Sequence, residues 1–364
     1  MASKKNIRQW SQLRMLCCSG LDLMAIAPDA FTIAHDLVPN AASALFLTSH
    51  HGEQQATYHE DCPDDVQALC ASDGSLFAGP TELNLQRLLT NRRAPKVGQL
   101  WKPPREYFSS NTYQLLVRGC GHHHTIEARL EVNGRPLGMV SLFRETGLGF
   151  DEQDLVDLGR IAQYFEHAAK LHASVPDQPD SDAELQAMVV ANTRGEVVFS
   201  SLAANALLND IPLTGSQWPD RRKLPIACLR LIDILKDNDQ FAWQMPSCTL
   251  PLPGGTLDLH AQWMLPPGGA VSDDPLAISD HGLVGITLTR RTPLPLRVWR
   301  NLCAAPLSPR QMEVAFWMAI GGSREAARAR LSISEAVLRD CVKAVYEKLG
   351  CSSQTDLMAT LRQA

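Results

Sequence analysis

Alternating apolar and polar positions predict antiparallel strands in the first half of the chain. Every second residue from 126 to 132 is apolar, and Asn133-Gly134 then supplies the positive φ angles that a tight turn needs. Residues 136–144 are the predicted return strand of this hairpin. A second hairpin is predicted from residues 44–50 and 53–59, which flank a short polar turn.

Helical spacing of apolar residues predicts that helices cover these strands. A helical run is predicted around residues 30–37, before the first hairpin along the chain. Asp151 is the predicted N-cap of a longer helix, because apolar residues then recur on one helical face, at Leu155, Leu158, Ala162, Phe165 and Ala169. Residues 1–172 are therefore predicted to form one α+β domain.

The second half of the chain opens with the pattern of a strand, a turn, a strand and a helix. The apolar runs at 187–191 and 196–200 are the two predicted strands, and residues 202–208 are the predicted helix. Alternation at 257–261 and an apolar run at 284–291 predict further strands. These elements predict a second small antiparallel sheet domain.

Two polar, proline-containing stretches lie outside the predicted elements. Residues 173–183 separate the two sheet patterns, and we interpret them as a linker between domains. Residues 266–282 lie between two predicted strands, so we interpret them as a long loop inside the second domain. That domain is then predicted to extend over residues 184–296.

The pattern changes again near residue 300. After Pro306 no strand pattern remains, and predicted helices are separated by short turns at Gly321-Gly322 and at residues 332–334. Residues 301–364 carry a formal charge of +2, whereas the first 300 residues carry −7. A compact helical domain with a locally positive balance is therefore predicted over residues 301–364.

Composition narrows the class of protein. With 45% hydrophobic and 20% charged residues, the 364-residue chain can fill several globular cores, which excludes disordered and fibrous classes. The ten cysteines include no CxxC pair, so neither a disulfide framework nor a zinc ribbon is predicted. No signal-peptide pattern and no apolar run of membrane-spanning length occurs in the sequence. We therefore expect a cytoplasmic protein with no membrane partner.

The C-terminal segment contains a closely spaced set of capping, turn and apolar residues. They are Leu307, Ser308, Pro309, Arg310, Glu313, Val314, Gly321, Ser323, Leu331, Ile333, Ser334, Tyr346, Lys348, Leu349 and Gly350. In identity and spacing this set resembles the LuxR-type (GerE-type) helix-turn-helix of bacterial transcription regulators. The resemblance implies an all-α module of four helices, whose third helix enters the major groove of double-stranded DNA. It also implies that the fourth helix, residues 355–361, mediates dimers.

The predicted third helix of this module has two distinct faces. Leu338, Val342, Val345 and Leu349 recur at steps of four, three and four residues, which predicts one buried stripe. The opposite face is polar, and arginine and lysine there can contact phosphates or guanine edges. Helix N-termini can also bind a phosphate through backbone N–H groups. The predicted DNA-binding residues are Ser323, Arg324, Ser334, Glu335, Arg339, Lys343, Tyr346 and Lys348.

Five residues at three sites depart from the usual family pattern, and these departures leave a second function possible. Residues 326–328 replace an acid, an isoleucine and an alanine, Val337 replaces a threonine, and Cys341 replaces a common histidine. Val337 and Cys341 each remove a polar contact from the third helix. The alternative is a protein-interaction adaptor or anti-regulator, whose helix-turn-helix docks another protein and binds DNA weakly or not at all.

The two sheet patterns resemble sensor domains. Residues 133–165, in which a Pro-Leu-Gly strand precedes an acid-capped helix, resemble the end of GAF domains. Residues 189–208, with Asn205 in the helix, resemble the beginning of PAS domains. Both resemblances imply a small-molecule ligand or a partner protein as the input. We find no cofactor signature, so no cofactor is predicted and cofactor-binding residues stay unknown.

Three consecutive histidines, His122, His123 and His124, are the strongest candidates for a metal site. In an extended segment only His122 and His124 point to one face, which Cys120 shares. Because no further ligand is spaced along the chain, we predict no metal site. Walker A, GxSxG, HExxH and dinucleotide-binding glycine signatures do not occur in the sequence, so no catalytic residue and no enzymatic activity are predicted.

Together, these patterns predict a multidomain α+β fold with a regulatory function. We expect a homodimeric bacterial transcription regulator, in which a GAF-like and a PAS-like domain control the binding of promoter DNA by the LuxR-type module. The expected partners are double-stranded DNA, a second copy of the chain and a small-molecule ligand, with RNA polymerase as a further candidate.

Overall fold

The computed structural model describes residues 4–49, 54–80, 82–172, 183–211, 222–237, 246–264 and 282–362. Within these ranges the protein is a mixed α+β protein with two antiparallel sheets and many helices. Most of the predicted linker, residues 173–182, and most of the predicted long loop, residues 266–281, lie outside the described residues. In the part of the chain that is described, no helix is both long enough and apolar enough to cross a bilayer.

The helices and strands are numbered here in chain order. The helices are α1 (Lys4–Cys17), α2 (Leu23–Leu37), α3 (Asp64–Ser72), α4 (Leu85–Thr90), α5 (Glu152–His172), α6 (Leu202–Asn209), α7 (Ile226–Asp237), α8 (Leu294–Ala304), α9 (Pro309–Ala319), α10 (Arg324–Leu331), α11 (Glu335–Leu349) and α12 (Gln354–Arg362). The strands are β1 (Ala42–Thr48), β2 (Gln54–His59), β3 (His124–Val132), β4 (Arg135–Arg144), β5 (Ala183–Asn192), β6 (Val197–Ser200), β7 (Ser247–Leu252), β8 (Gly255–Met264) and β9 (Leu283–Arg291).

The chain forms two compact units, each built from segments that are distant in sequence. The first unit contains Met1–Pro39, Gln163–Asp182 and Thr292–Ala364, and the second contains Asn40–Ala162 and Ala183–Arg291. The first unit therefore holds α1, α2, the end of α5 and α8 to α12, while the second holds both sheets. The three-domain division remains a prediction, because one compact unit can hold more than one domain.

The first sheet of the second unit has the strand order β2-β1-β4-β3. Both predicted hairpins are confirmed, since β1 pairs with β2 and β3 pairs with β4 in antiparallel register. Asn133 and Gly134 join β3 to β4 with φ angles of 53° and 74°, as a tight turn requires. One face of the sheet carries Met139, which packs against α4 and two short helical segments, Arg105–Ser109 and Thr112–Val117.

The second sheet has the strand order β6-β5-β9-β8-β7, and all of its neighbouring strands are antiparallel. The predicted order of strand, turn, strand and helix is confirmed by β5, β6 and α6. Val189, Leu259 and Ile286 are buried in a core to which α6 and α7 contribute. Strand β7 is not predicted from the sequence, because Pro251 interrupts its pattern; proline is tolerated there because β7 lies at the edge of the sheet.

The first unit joins the N-terminal helices to the C-terminal ones. Helix α1 packs against α8 and α9, and the ring of Phe31 in α2 lies 5.7 Å from that of Phe165 in α5. The predicted helix near residues 30–37 is confirmed, but α2 begins earlier because the Asp22 side chain caps it. Helix α8 begins inside the range predicted for the second domain and is missed by the sequence pattern.

Candidate nucleic-acid interface

Serine side chains begin α10 and α11, and a left-handed residue ends each of them. The hydroxyl oxygen of Ser323 accepts a hydrogen bond from the Ala326 backbone N–H at 3.1 Å, which satisfies one of the open donors at the start of α10. Ser332 adopts φ 50° and ends α10. Ser334 caps α11 in the same way, because its hydroxyl oxygen accepts a hydrogen bond from the Val337 backbone N–H at 3.3 Å. The two predicted caps are confirmed, and the helix-turn-helix connection is a three-residue turn.

Helix α11 is held by its apolar stripe. Leu338, Val342 and Val345 are buried, and α11 packs against α9. Leu349, the fourth residue of the predicted stripe, is half-buried near the end of the helix. Gly350 follows with φ 66°, the left-handed conformation that commonly terminates a helix. The buried stripe fixes which face of α11 points away from the helical core.

The outward face of α11 carries basic side chains. Arg339 and Lys343 are exposed, one helical turn apart. The Lys343 Nζ atom lies 3.9 Å from Oε1 of Glu347, also exposed. Such a surface pair is worth less than about 1 kcal/mol, so Lys343 can exchange it for another anionic partner. Arg339 and Lys343 are therefore available to an anionic surface such as a phosphate backbone.

Two of the predicted DNA-binding residues differ from the others in their surroundings. The hydroxyl of Tyr346 is buried and has no hydrogen-bond partner among the described residues. The Nζ atom of Lys348 donates to the Pro306 carbonyl at 3.1 Å and to Oε1 of Gln311 at 2.9 Å. Lys348 is nevertheless exposed, as are the other six predicted residues, namely Ser323, Arg324, Ser334, Glu335, Arg339 and Lys343. Contact of any of the eight with DNA stays a prediction.

Helix α10 adds basic residues that the sequence analysis does not single out. Arg328 and Arg330 are exposed, and the guanidinium carbon of Arg330 lies 3.8 Å from the ring centroid of Trp317. A cation over an indole face is attracted to it, which positions Arg330 against α9. The i, i+4 spacing of Arg324 and Arg328 indicates from the sequence that these two side chains are neighbours on one helical face. Exposed Glu325 shares this helix, so its surface has mixed charge.

A buried glutamate connects α9 to the N-terminal helix. Glu313 has a side chain only 5% exposed, and its carboxylate accepts hydrogen bonds from Arg14, from the Ser11 hydroxyl at 3.1 Å and from Arg310 at 3.1 Å. Arg14 and Ser11 both belong to α1. A buried charge without partners is strongly destabilising, so these donors stabilise the position of α9 relative to α1.

Two further contacts join the N-terminal helices to α8. The indole Nε1 of Trp299 donates to the Gln12 carbonyl at 3.2 Å. The guanidinium of Arg300 makes two hydrogen bonds to the carboxylate of Asp29, at 3.0 and 2.8 Å. Paired donors and acceptors of this kind fix orientation as well as distance. Helix α8 is therefore attached to α1 and α2 by specific polar contacts.

Buried polar groups also lie between the first sheet and the helical layer that follows β2 in the chain, which consists of α3, α4, Arg105–Ser109 and Thr112–Val117. Both carboxylate oxygens of Glu127 accept from the Leu100 backbone N–H, at 2.9 and 3.0 Å. Burial raises the pKa of Glu127 to about 8, so this carboxyl is mainly protonated at neutral pH. Burial, together with the nearby Glu127, also raises the pKa of Tyr107.

The three consecutive histidines have three different environments. The His122 ring is buried and stacks on Phe143 at 4.8 Å, and burial lowers its pKa to about 4. His123 Nδ1 is hydrogen-bonded to the Tyr113 hydroxyl, and His124 Nε2 lies 3.2 Å from the Gly147 carbonyl. Among the described residues, no group of three or more histidine, cysteine, aspartate or glutamate side chains could hold a metal ion.

Comparison with known proteins gives only distant similarities. No family model and no curated protein matches the chain. VqmA of Vibrio cholerae in complex with a ligand and DNA is 12% identical, with a TM-score of 0.28 over 49% of this chain and 81% of that chain. A phage VqmA bound to DPO is 13% identical, with a TM-score of 0.24 over 48% and 79%. The E. coli DhaR(N)–DhaL complex is 12% identical, with a TM-score of 0.26 over 80% of this chain and 90% of that chain. These scores are too low to establish a shared fold.

Proposed function

We propose that this protein is a DNA-binding transcription regulator, in which residues 301–364 form a LuxR-type helix-turn-helix. The observation that carries the proposal is the placement of α11, with Val342 buried inward and Arg339 and Lys343 exposed outward. A helix fits the major groove of B-DNA, and arginine and lysine there bind phosphates or guanine edges. The short turn before α11 and the Ser334 cap leave the start of this helix open to a phosphate.

The two sheets are the proposed sensor domains. The order β2-β1-β4-β3, covered by helices, supports a GAF-like domain, and the order β6-β5-β9-β8-β7 supports a PAS-like domain. A small-molecule ligand or a partner protein bound there changes the population of conformers that can bind DNA. The regulator acts as a homodimer, since a two-fold pair of modules matches a palindromic site, and it performs no catalysis.

The polar network of Glu313 is the proposed link between α1 and the DNA-binding module. Helix α1 belongs to the predicted sensor segment, whereas Glu313 lies in the first helix of the DNA-binding module. Hydrogen bonds from Arg14 and Ser11 to Glu313 make the position of α9 depend on α1. A rearrangement of α1 therefore changes the free energy of the helix-turn-helix. Allosteric control requires a contact of this kind, whose energy differs between two conformations of the protein.

The proposal is tested with full-length protein and a fragmented pool of genomic DNA from the source organism. Bound fragments are sequenced, and the affinity for the best one is measured by fluorescence anisotropy. Because each such contact is worth about 1 to 3 kcal/mol, the variant Arg339→Ala/Lys343→Ala should bind at least about tenfold more weakly. The control Arg194→Ala/Lys236→Ala removes the same charge from exposed positions elsewhere and should bind as the wild type does. Equal affinities of all three proteins would refute the proposed interface.

One observation favours a second candidate function, docking of a protein by the same helix. Val337 is apolar and 43% exposed on the first turn of α11, beside the predicted DNA-binding residues. Exposed apolar area is typical of the core of a protein interface rather than of a phosphate contact. The two functions differ in salt dependence, because phosphate neutralisation weakens steeply with salt and apolar contact does not.

A further inference from the structure

Two cysteines from distant parts of the chain meet in the first sheet domain. Cys62 lies in the turn between β2 and α3, and Cys120 lies in the loop before β3. Their sulfur atoms are 3.8 Å apart although the residues are 58 positions apart in the sequence. Both side chains are half-buried, so a small oxidant in solution can reach them.

The local backbone holds both cysteines in place. The Cys62 carbonyl accepts a hydrogen bond from Gln67 Nε2 at 2.8 Å, which fixes the turn that precedes α3. The Cys120 backbone N–H donates to the Leu116 carbonyl at 3.1 Å. Gly121, directly after Cys120, has φ 79° and open space around it. The two sulfur atoms are thus brought together by folded segments, and the loop after Cys120 can absorb a small shift.

The two thiols are not chemically equivalent. The hydrogen bond from Cys62 lowers the pKa of Cys120, against the opposing effects of burial and of the Asp65 carboxylate. A thiol with a lower pKa has a larger thiolate fraction, and the thiolate is the nucleophile in cysteine chemistry. This difference favours Cys120 as the attacking residue and Cys62 as the resolving one.

A metal site is a poorer explanation of the same pair. Two sulfur ligands need at least one or two further ligands to hold zinc. His59 and His122, which are close to these cysteines in the sequence, stack on each other and on Phe143. In the described ranges of the chain, no cluster of three or more potential ligands is present.

We propose that Cys62 and Cys120 are a reversible oxidation site, which forms an intramolecular disulfide with hydrogen peroxide as the oxidant. The Cys120 thiolate attacks one peroxide oxygen, the O–O bond breaks, and the departing hydroxide takes up a proton to become water. The Cys62 sulfur then attacks the sulfenic acid on Cys120, the S–S bond forms, and the second water leaves with the Cys62 proton. The two thiols lose two electrons and two protons in total, and a dithiol reductant reverses the change.

The disulfide would cross-link the two ends of the helical layer of this domain. The enclosed segment contains α3, α4 and the short helical segments Arg105–Ser109 and Thr112–Val117. Cross-linking removes open conformations of such a loop. Oxidation should therefore slow amide hydrogen exchange in the helical layer. This inference does not depend on the proposed DNA-binding function.

The test uses the full-length protein, treated with a small excess of hydrogen peroxide, then alkylated, digested and analysed by mass spectrometry. We expect a peptide pair joined through Cys62 and Cys120, and its loss after dithiothreitol treatment. Cys351, which is also half-buried, is the internal control and should remain alkylated. In Cys62→Ser, the resolving thiol is gone, so Cys120 should accumulate as a sulfenic acid that dimedone traps.

Two results would overturn the proposal. One is alkylation of Cys62 and Cys120 in the peroxide-treated wild type to the same extent as Cys351. The other is dimedone labelling of Cys62→Ser no greater than that of Cys62→Ser/Cys120→Ser. Circular dichroism of the variants verifies that they fold, and the wild-type measurement does not depend on them.

Discussion

At the scale of single residues, Glu127 illustrates how burial changes the chemistry of a side chain. Its carboxyl is almost fully buried on β3 and accepts from the Leu100 backbone N–H. Backbone hydrogen bonds from Leu100, Gln99 and Glu127 itself do not offset the loss of hydration of a charged carboxylate, so the pKa rises to about 8. The group is neutral in the folded protein under conditions where it is ionised in the unfolded chain.

This difference predicts a pH dependence of stability. Because the folded pKa lies above the unfolded value, the stabilising contribution is complete below the unfolded pKa and is lost as the pH rises to about 8. The slope is at most about 1.4 kcal/mol per pH unit. Glu127→Gln keeps a hydrogen-bond acceptor and cannot ionise, so urea unfolding of the wild type should lose stability relative to this variant between pH 5 and pH 8. If the free energies of unfolding of the wild type and of Glu127→Gln changed with pH in parallel, Glu127 would not be neutral in the folded protein.

The burial and the contacts of individual side chains on α11 could be predicted from the sequence only in part. The apolar stripe is confirmed at Leu338, Val342 and Val345, because helical periodicity alone decides which positions share a face. The surroundings of Tyr346 and Lys348 could not be predicted. The direction of their long side chains depends on atoms of the preceding loop and α9, such as the Gln311 amide that Lys348 contacts.

At the scale of elements, the sequence predicts those whose ends carry local signals. Asn133-Gly134, Asp151 and the serine caps of α10 and α11 were identified because turns and caps depend on a few adjacent residues. Helix α8 was missed because Pro293 and Pro295 suggest a loop, although proline is tolerated in the first turn of a helix. Strand β7 was missed for a similar reason.

The contact between α1 and α9 predicts a measurable coupling. Arg14→Ala removes a charged donor from the buried Glu313 carboxylate, and Glu313→Gln removes the negative charge with which the Arg14 guanidinium pairs. A double-mutant cycle on the free energy of unfolding should give a coupling of about 0.5 to 3 kcal/mol, since the two residues are in direct contact. The measurement is chemical unfolding of the four full-length proteins.

The exposed pair of Lys343 and Glu347 is the matched control for this cycle. It has the same charges, but both side chains are exposed and the atoms are 3.9 Å apart. Exposed helical pairs contribute about 0.3 to 0.5 kcal/mol, so its coupling should be the smaller one. A coupling at Arg14 and Glu313 that does not exceed the control would show that α1 does not stabilise α9 through this contact.

At the scale of the whole molecule, the association of the chain's two ends could not be predicted from the sequence. Arg14 and Glu313 are 299 positions apart, and neither has a neighbouring sequence pattern that indicates the other. The pairing exists because α1 presents Arg14 and Ser11 to a carboxylate that α9 buries. Sequence patterns predicted both sheets and the helical module but not the unit that joins α1 and α2 to that module.

Charge distribution is the property of the whole chain that bears most on function. The protein carries −5 overall, but residues 301–364 carry +2, and α10 and α11 hold most of the exposed basic residues of that segment. A positive region on an acidic protein attracts a polyanion locally while the remaining surface repels it. The proposed DNA binding should therefore depend on a few cations and on ionic strength.

The salt dependence of DNA affinity tests the central claim most directly. Full-length protein is titrated with its best genomic fragment from 50 to 300 mM salt, in parallel with Arg339→Ala/Lys343→Ala. We expect a linear fall of log affinity with log salt, and a slope reduced by up to about 2 in the variant, because each lost phosphate contact removes about 0.9. Absence of binding at low salt, or identical slopes for both proteins, would contradict DNA recognition by α11.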